Sequence, residues 1–286
     1  MNPTKNTPQG PGWKIGKWSL ATVAAGMVWA ATTQAAVVYT GNSGEIWQFN
    51  TPTLTGGSGL VSGYVGSKDL AADTTGIYMT DAGTVWKFNS SGSSISTSFG
   101  STFKTVATNA NGYVYVANNN EIGRFTSGLT GWTSLTAASG VTDLAVSNNW
   151  IYATNGSFIR RYSLSGSAIN DSFPSSFSSV AVDPDGYVYA TEGSLICRFN
   201  ADLSGFTTLV SPAGGITDLA AASDGIYATT GGQVYRFNLA GGWAGSNSTF
   251  DGGFDSVATV VVPEPAAASL LLLAGLGLLA RRRKRG

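Results

Sequence analysis

Three tripeptides, Asp69-Leu70-Ala71, Asp143-Leu144-Ala145 and Asp218-Leu219-Ala220, recur at nearly even spacing. Between and after them stand Thr105-Val106-Ala107, Ser179-Val180-Ala181 and Ser256-Val257-Ala258. Three carboxylates alternating with three hydroxyls form an all-oxygen donor set. If the chain brings them around one axis, they suit a hard cation such as Ca²⁺, which takes about six to eight oxygen ligands. Each Asp also suits a tight turn ahead of a strand, where its carboxylate accepts backbone N–H bonds. Other catalytic equipment is sparse. There is no His, which excludes a Ser-His-Asp triad, a His general base and the common zinc sites. The single Cys197 excludes a thiolate metal cluster and an intrachain disulfide, and its strand-like setting reads as a small packed side chain. The Gly275-Leu276-Gly277 segment lies in an apolar tail, not ahead of a phosphate-cradling helix. A carboxylate- or metal-dependent hydrolase or lyase is the one enzymatic alternative to a non-enzymatic binding role.

Aromatic side chains are the second candidate set. Trp132, Trp150 and Trp243 fall in or near connections and could stack on sugar rings, as flat apolar faces do. Phe206 is the equivalent of Trp132. Trp47 and Trp86 share one repeat position and are expected in packing between sheets, and Lys87, Arg124, Arg161, Arg198 and Arg236 are expected to hydrogen-bond between neighbouring units.

These residues are positioned by a repeat. Val38-Tyr39, Ile77-Tyr78, Val114-Tyr115, Ile151-Tyr152, Val188-Tyr189 and Ile226-Tyr227 recur at steps of 39, 37, 37, 37 and 38 residues. Each is followed by a second apolar element, such as Ile46-Trp47-Gln48-Phe49 or Val234-Tyr235-Arg236-Phe237, and preceded in the next unit by the Leu/Val-Ala element. The elements are short, rich in β-branched and aromatic residues, and bounded by Gly, Asn, Asp and Ser, as at Asp185-Gly186 and Asp224-Gly225. No segment has a long helical period. The expectation is an all-β protein, a six-bladed β-propeller over residues 37–262. With the Leu/Val-Ala element innermost, the first blade lacks an inner strand and Ser256–Val262 is left over to close it. Copies alternate as well: those beginning with Thr105, Ser179 and Ser256 carry Phe103, Phe177 and Phe254 two residues earlier, so a pair of blades reads as the duplicated unit. The stretch Val180-Ala181-Val182-Asp183-Pro184-Asp185-Gly186-Tyr187-Val188-Tyr189 resembles NHL and related six-bladed propeller repeats, which implies the same fold.

Both ends read as targeting segments. Residues 1–35 carry Lys5, Lys14 and Lys17, then an apolar run from Trp18 to Ala31, then Thr33-Gln34-Ala35-Ala36, the layout of a secretory signal peptide. At the other end, residues 263–286 begin with Pro263-Glu264-Pro265, continue without charge from Ala266 to Ala280, and finish on Arg281-Arg282-Arg283-Lys284-Arg285. The apolar run is long enough for a helix of roughly 22 Å, a marginal transmembrane helix whose basic cluster stays cytoplasmic. The three parts in this order resemble the PEP-CTERM sorting signal. That resemblance implies processing by an exosortase-type membrane protease in a Gram-negative bacterium, with an inner-membrane intermediate and a final place at the cell surface or in extracellular, exopolysaccharide-rich biofilm material. In residues 37–262, 8 Lys and Arg stand against 15 Asp and Glu, net −7, so nucleic acid is not an expected partner. The expected function is an exported surface or matrix protein that binds exopolysaccharide or surface proteins.

Overall fold

Each Val/Ile-Tyr pair lies in a strand with an apolar residue on either side of its sheet, because both faces of the sheet are covered by neighbours. The computed structural model describes residues 36–42, 44–51, 53–64, 67–100, 102–210, 214–246 and 253–261. They form six four-stranded antiparallel sheets. The first comprises β1 (Ala36–Asn42), β2 (Glu45–Asn50) and β3 (Thr55–Val61). The second comprises β4 (Ser67–Asp73), β5 (Gly76–Asp81), β6 (Thr84–Phe88) and β7 (Ser94–Thr97). The third comprises β8 (Thr105–Thr108), β9 (Tyr113–Ala117), β10 (Glu121–Thr126) and β11 (Thr133–Ala137). The fourth comprises β12 (Asp143–Val146), β13 (Trp150–Thr154), β14 (Ile159–Ser163) and β15 (Ala168–Asp171). The fifth comprises β16 (Phe177–Val182), β17 (Val188–Glu192), β18 (Leu195–Phe199) and β19 (Thr207–Val210). The sixth comprises β20 (Asp218–Ala222), β21 (Gly225–Thr229), β22 (Val234–Phe237) and β23 (Trp243–Ser246). The last strand, β24 (Ser256–Val261), returns to pair with β1 and completes the first sheet in the order β24-β1-β2-β3. The register runs from Ala36↔Val261 to Gly41↔Ser256.

This is the expected six-bladed propeller, closed by its N- and C-terminal strands. The inner strands β4, β8, β12, β16, β20 and β24 each contact the next and so ring the axis. The signal segment, Pro263-Glu264-Pro265, the tail helix and Arg281–Arg285 lie outside the described residues. Among the described residues, no helix is long and apolar enough to cross a membrane.

The core is six separate layers, one between each pair of adjacent blades. Between blades 2 and 3, Ala71, Tyr78 and Val85 meet Phe103, Val106, Val114 and Phe125. Between blades 4 and 5, Ala145, Tyr152 and Ile159 meet Phe177, Val180, Val188 and Cys197. Cys197 is fully buried and unpaired, a packing residue as its strand setting suggested, and burial pushes its thiol up to about 11. The alternation of blades is physical. Phe103, Phe177 and Phe254 are buried and meet Phe125, Phe199 and Phe49 edge-on at 5.8, 5.6 and 5.8 Å. Tight hairpins connect the strands; at Asp185-Gly186, Gly186 takes φ +90°, a left-handed conformation that glycine adopts without a Cβ clash.

One aromatic position is filled by exchange of volume. Trp47 and Trp86 are partly buried against blade-interface clusters, as expected. In blade 3 the same position is Gly123, and the ring of Trp132 occupies the space that a Cβ at Gly123 would take. There it packs against Phe125 (4.8 Å), Phe103 (5.4 Å) and Phe99 (5.6 Å). Gly123→Val should therefore cost about 1–3 kcal/mol through overpacking. In the Gly123→Val/Trp132→Leu double variant the loss should be smaller than the sum of the single losses. Denaturant unfolding of the four chains checks this, and strict additivity would contradict the exchange.

Candidate functional site

The inner strands all run in one direction along the axis, so their starting ends share one end of the channel. That places Asp69, Thr105, Asp143, Ser179, Asp218 and Ser256 in one ring. One carboxylate oxygen from each of Asp69, Asp143 and Asp218 lies within 4.8 Å of the other two, and the three residues are only 7–8% exposed. Each Asp does what a residue at a strand start does, accepting the next residue's N–H: Leu70, Leu144 and Leu219 donate at 2.7 Å. Each also reaches the following blade. Val106 N donates to Asp69 Oδ2 at 2.8 Å, Val180 N to Asp143 Oδ2 at 2.7 Å, and Val257 N to Asp218 Oδ2 at 2.8 Å. Turn-type bonding and axial clustering, alternatives in the sequence, coexist.

The hydroxyls bridge the carboxylates. Thr105 Oγ1 lies 2.6 Å from Asp69 Oδ2 and 3.1 Å from Asp143 Oδ1. Ser179 Oγ lies 2.8 Å from Asp143 Oδ2 and 2.9 Å from Asp218 Oδ1. A hydroxyl has one proton, so each can donate to one carboxylate only, and the second contact calls for a proton on the other carboxylate or a shared one. Electrostatics agree. Burial, reinforced by the charge of Asp143, pushes Asp69 up to about 8 against hydrogen bonds from Thr105, Val106 and Leu70. Burial also raises Asp143, and burial with the charges of Asp143 and Asp69 raises Asp218 well above the carboxylate range. A buried set of this composition binds protons or a cation, and its oxygens fit a hard ion such as Ca²⁺.

At the other end of the inner strands, roughly 10 Å away along extended chain, a cavity of about 530 Å³ opens at the channel mouth. Ala72, Thr108, Val182, Ala221 and Thr259 bring the strands to it, and the turns that follow supply its rim. Four of these turns carry a side-chain acceptor at one repeat position. Asp73 accepts from Thr75 N and Gly76 N, Asn109 from Asn111 N, Ser147 from Asn149 N and Trp150 N, and Asp183 from Tyr187 N. Blade 1 has Val260 there, and in blade 6 the position is Ala222, buried in the core and not lining the cavity, so the polar rim is confined to four blades. The rim was not singled out from the sequence. Its signal was present in Asp73, Asn109, Ser147 and Asp183, each four residues after the Asp, Thr or Ser of the axial ring.

The three candidate tryptophans do not converge. Trp150 lines the cavity, with the Arg161 guanidinium 4.5 Å from its ring centre. Trp132 is packed over Gly123, and its equivalent Phe206 packs against Phe173 and Phe199. Trp243 is 59% exposed on the outer strand β23, against Tyr235 and Phe237. The basic series divides, and two of its members reach the next blade. Lys87 Nζ donates to Ser127 O at 2.9 Å and Arg161 to Ala201 O at 3.0 Å, both in the next blade. Arg124 and Arg198 instead stack on Tyr113 and Tyr187 of their own blades, and Arg236 donates to Asp224 O.

The raised carboxylates set a pH dependence. An unfolded Asp releases its proton near pH 4, whereas the folded Asp69 holds one to about 8. The stabilisation is thus complete below about pH 4 and is lost as pH rises through the folded value. In chelator, the Tm of the full chain should fall from pH 5 to pH 8, and Asp143→Asn should flatten that slope. A Tm that rises over this interval would contradict the assignment.

Comparison with known proteins agrees with both parts of the chain. Solved structures similar to it include a chain of the nidogen/laminin complex, with a TM-score of 0.70 and 11% identity over 79% of this chain and 98% of that one. A protein of unknown function from Bacteroides caccae gives a TM-score of 0.59 and 14% identity over the same shares. At these identities the likeness concerns the fold alone. No curated protein matches the chain. Residues 261–285 match the family model described as the PEP-CTERM protein-sorting motif. The matched region starts on the last residue of β24. The chain is therefore a six-bladed propeller carrying a PEP-CTERM motif, which marks it for exosortase processing, export and surface sorting in a Gram-negative bacterium.

Proposed function

We propose that the protein is a non-enzymatic component of the cell surface or extracellular matrix and that its propeller binds a glycan at the channel mouth. The observation that carries this is the cavity of about 530 Å³, whose rim combines hydroxyls and amides (Thr74, Thr108, Asn109, Asn148) with Trp150. Sugars offer hydroxyls and apolar C–H faces together, and a rim polar on four blades, with Trp150, Val182 and Val260 beside it, offers partners for both. Asp73, Asp183 and Asp185 line the cavity and, among the described residues, no Lys or Arg does, which favours neutral or amino-bearing sugars over anionic ones. The alternative is a hydrolase or lyase using carboxylates or a metal. Its clustered carboxylates lie at the far end of the inner strands and do not line this cavity, which supports binding over bond cleavage. In this reading the axial ring is a structural centre holding Ca²⁺, a cation available outside the cell at concentrations that weak extracellular sites use.

Isothermal titration of the full chain against neutral, amino and acidic exopolysaccharide fragments tests the ligand. Binding to a neutral or amino fragment should weaken about tenfold in Trp150→Ala and in Asn148→Ala and stay unchanged in Trp243→Ala. Silence across all fragments, with capture of a purified surface protein instead, would move the reading to protein binding. For sorting, replacing Pro263, Glu264 and Pro265 with Ala should leave an unshortened chain in the membrane fraction on immunoblots. Unchanged processing would count against this motif as the exosortase signal.

A further inference from the structure

The axial ring breaks its own threefold pattern at Ser256. Thr105 and Ser179 hold equivalent places, first in their blade pair's axial position, and each bridges two carboxylates. By that pattern Ser256 belongs between Asp218 and Asp69. Its neighbour Val257 keeps the pattern, donating its N–H to Asp218 Oδ2 at 2.8 Å. The Ser256 hydroxyl is 1% exposed and has no hydrogen-bond partner among the described residues. The two oxygens it would bridge are also the least satisfied of the ring. Asp69 Oδ1 accepts only Leu70 N, and Asp218 Oδ2 only Val257 N. A buried hydroxyl without a partner is costly, and its natural remedy here is a ligand that three oxygens can share.

We propose that Ser256 completes an asymmetric cation site with Asp69, Asp143 and Asp218, and that the bound cation ties the closing strand β24 into the ring. This rests on the reading of the axial ring as a cation centre given above. The donors are all hard oxygens, so the ligand is a hard cation, Ca²⁺ before softer metals. Three carboxylates buried within 4.8 Å of one another need a positive partner, and a divalent ion supplies it without protons. The consequence for the fold is specific. β24 is the only inner strand joined to its blade without a covalent connection to the next strand, since β1 lies at the far end of the sequence. A ligand shared by Ser256 on β24, Asp218 on β20 and Asp69 on β4 spans both blade boundaries beside that strand.

The test uses the full chain freed of divalent ions in mild detergent, with Ca²⁺ alone as probe. Calorimetry should show one site in the wild type, and amide exchange should show β24 gaining protection when Ca²⁺ is added. Ser256→Ala removes a single oxygen and spares every backbone bond of the ring, so it should fold. It should bind Ca²⁺ at least about tenfold more weakly and lose the gain at β24. If Ser256→Ala keeps either the wild-type affinity or the wild-type gain, the proposal is overturned while the cation centre stands. If the wild type itself gives no heat with Ca²⁺, the cation centre falls and this proposal with it.

Discussion

The inner edge of each blade sets the terms for the rest of the molecule. A propeller's innermost strand has a neighbour on one side only, and its other edge faces the axis with backbone donors that need partners. Here the donors at Val106, Val180 and Val257 are met by Asp69, Asp143 and Asp218 of the preceding blades. A carboxylate is the right acceptor because it has two oxygens: one closes onto its own strand start and the other reaches across. The solution creates the next problem, since three carboxylates converge in a buried ring. Their proton affinity rises, and hydroxyls must be interleaved between them. Thr105 and Ser179 meet that need between two pairs of carboxylates, and only Ser256, on the closing strand, leaves its place in the alternation unused.

The same alternation spreads outward through packing. Blades that begin with a hydroxyl residue carry Phe103, Phe177 or Phe254 just ahead of it, and each seals an interface edge-on against the second apolar element. Two of the three blades that begin with Asp use their Tyr and basic residue to reach the next blade. Tyr78 and Lys87 both donate to Ser127 O, and Tyr152 and Arg161 both donate to Ala201 O. Two donors on one carbonyl of the next blade fix the spacing between blades as well as their contact. Pairs of blades are therefore the unit in the aromatic layer, whereas in the outer turns the sixth blade departs from the pattern, with Tyr227 and Arg236 both donating to Asp224 of their own blade.

How much of this could be read in the sequence depends on whether a feature is periodic. Strand elements, blade number and the closing role of Ser256–Val261 follow from repeats, because each blade faces the same burial problem and answers it with the same residue types. The axial meeting of Asp69, Asp143 and Asp218 follows too, once the inner strand is identified. Trp132 was harder. Its place depends on the missing side chain at Gly123, and a void filled from nine residues away leaves no local pattern. Trp150 and Trp243, read from the sequence as in or near connections, each begin a strand, yet one lines the cavity and the other stands in solvent on an outer strand. Distance from the axis separates them, and no local property of the sequence encodes it.

The seam between β1 and β24 joins these threads. β24 runs from the carboxylate ring at Ser256 to the cavity end, where Thr259 and Val260 line the mouth and Val261 pairs with Ala36. The first residue of the sorting motif and the first described residue of the chain thus face each other at one end of the propeller. A load applied through the C-terminal tail acts first on that pair and then on successive pairs of the ladder. It reaches Gly41↔Ser256 last. The bonds that tie β24 to the axis, at Val257 and the carboxylate of Asp218, lie at the protected end. Antiparallel closure places the attachment point for sorting as far along the strand as it can be from the ring that holds the blades together.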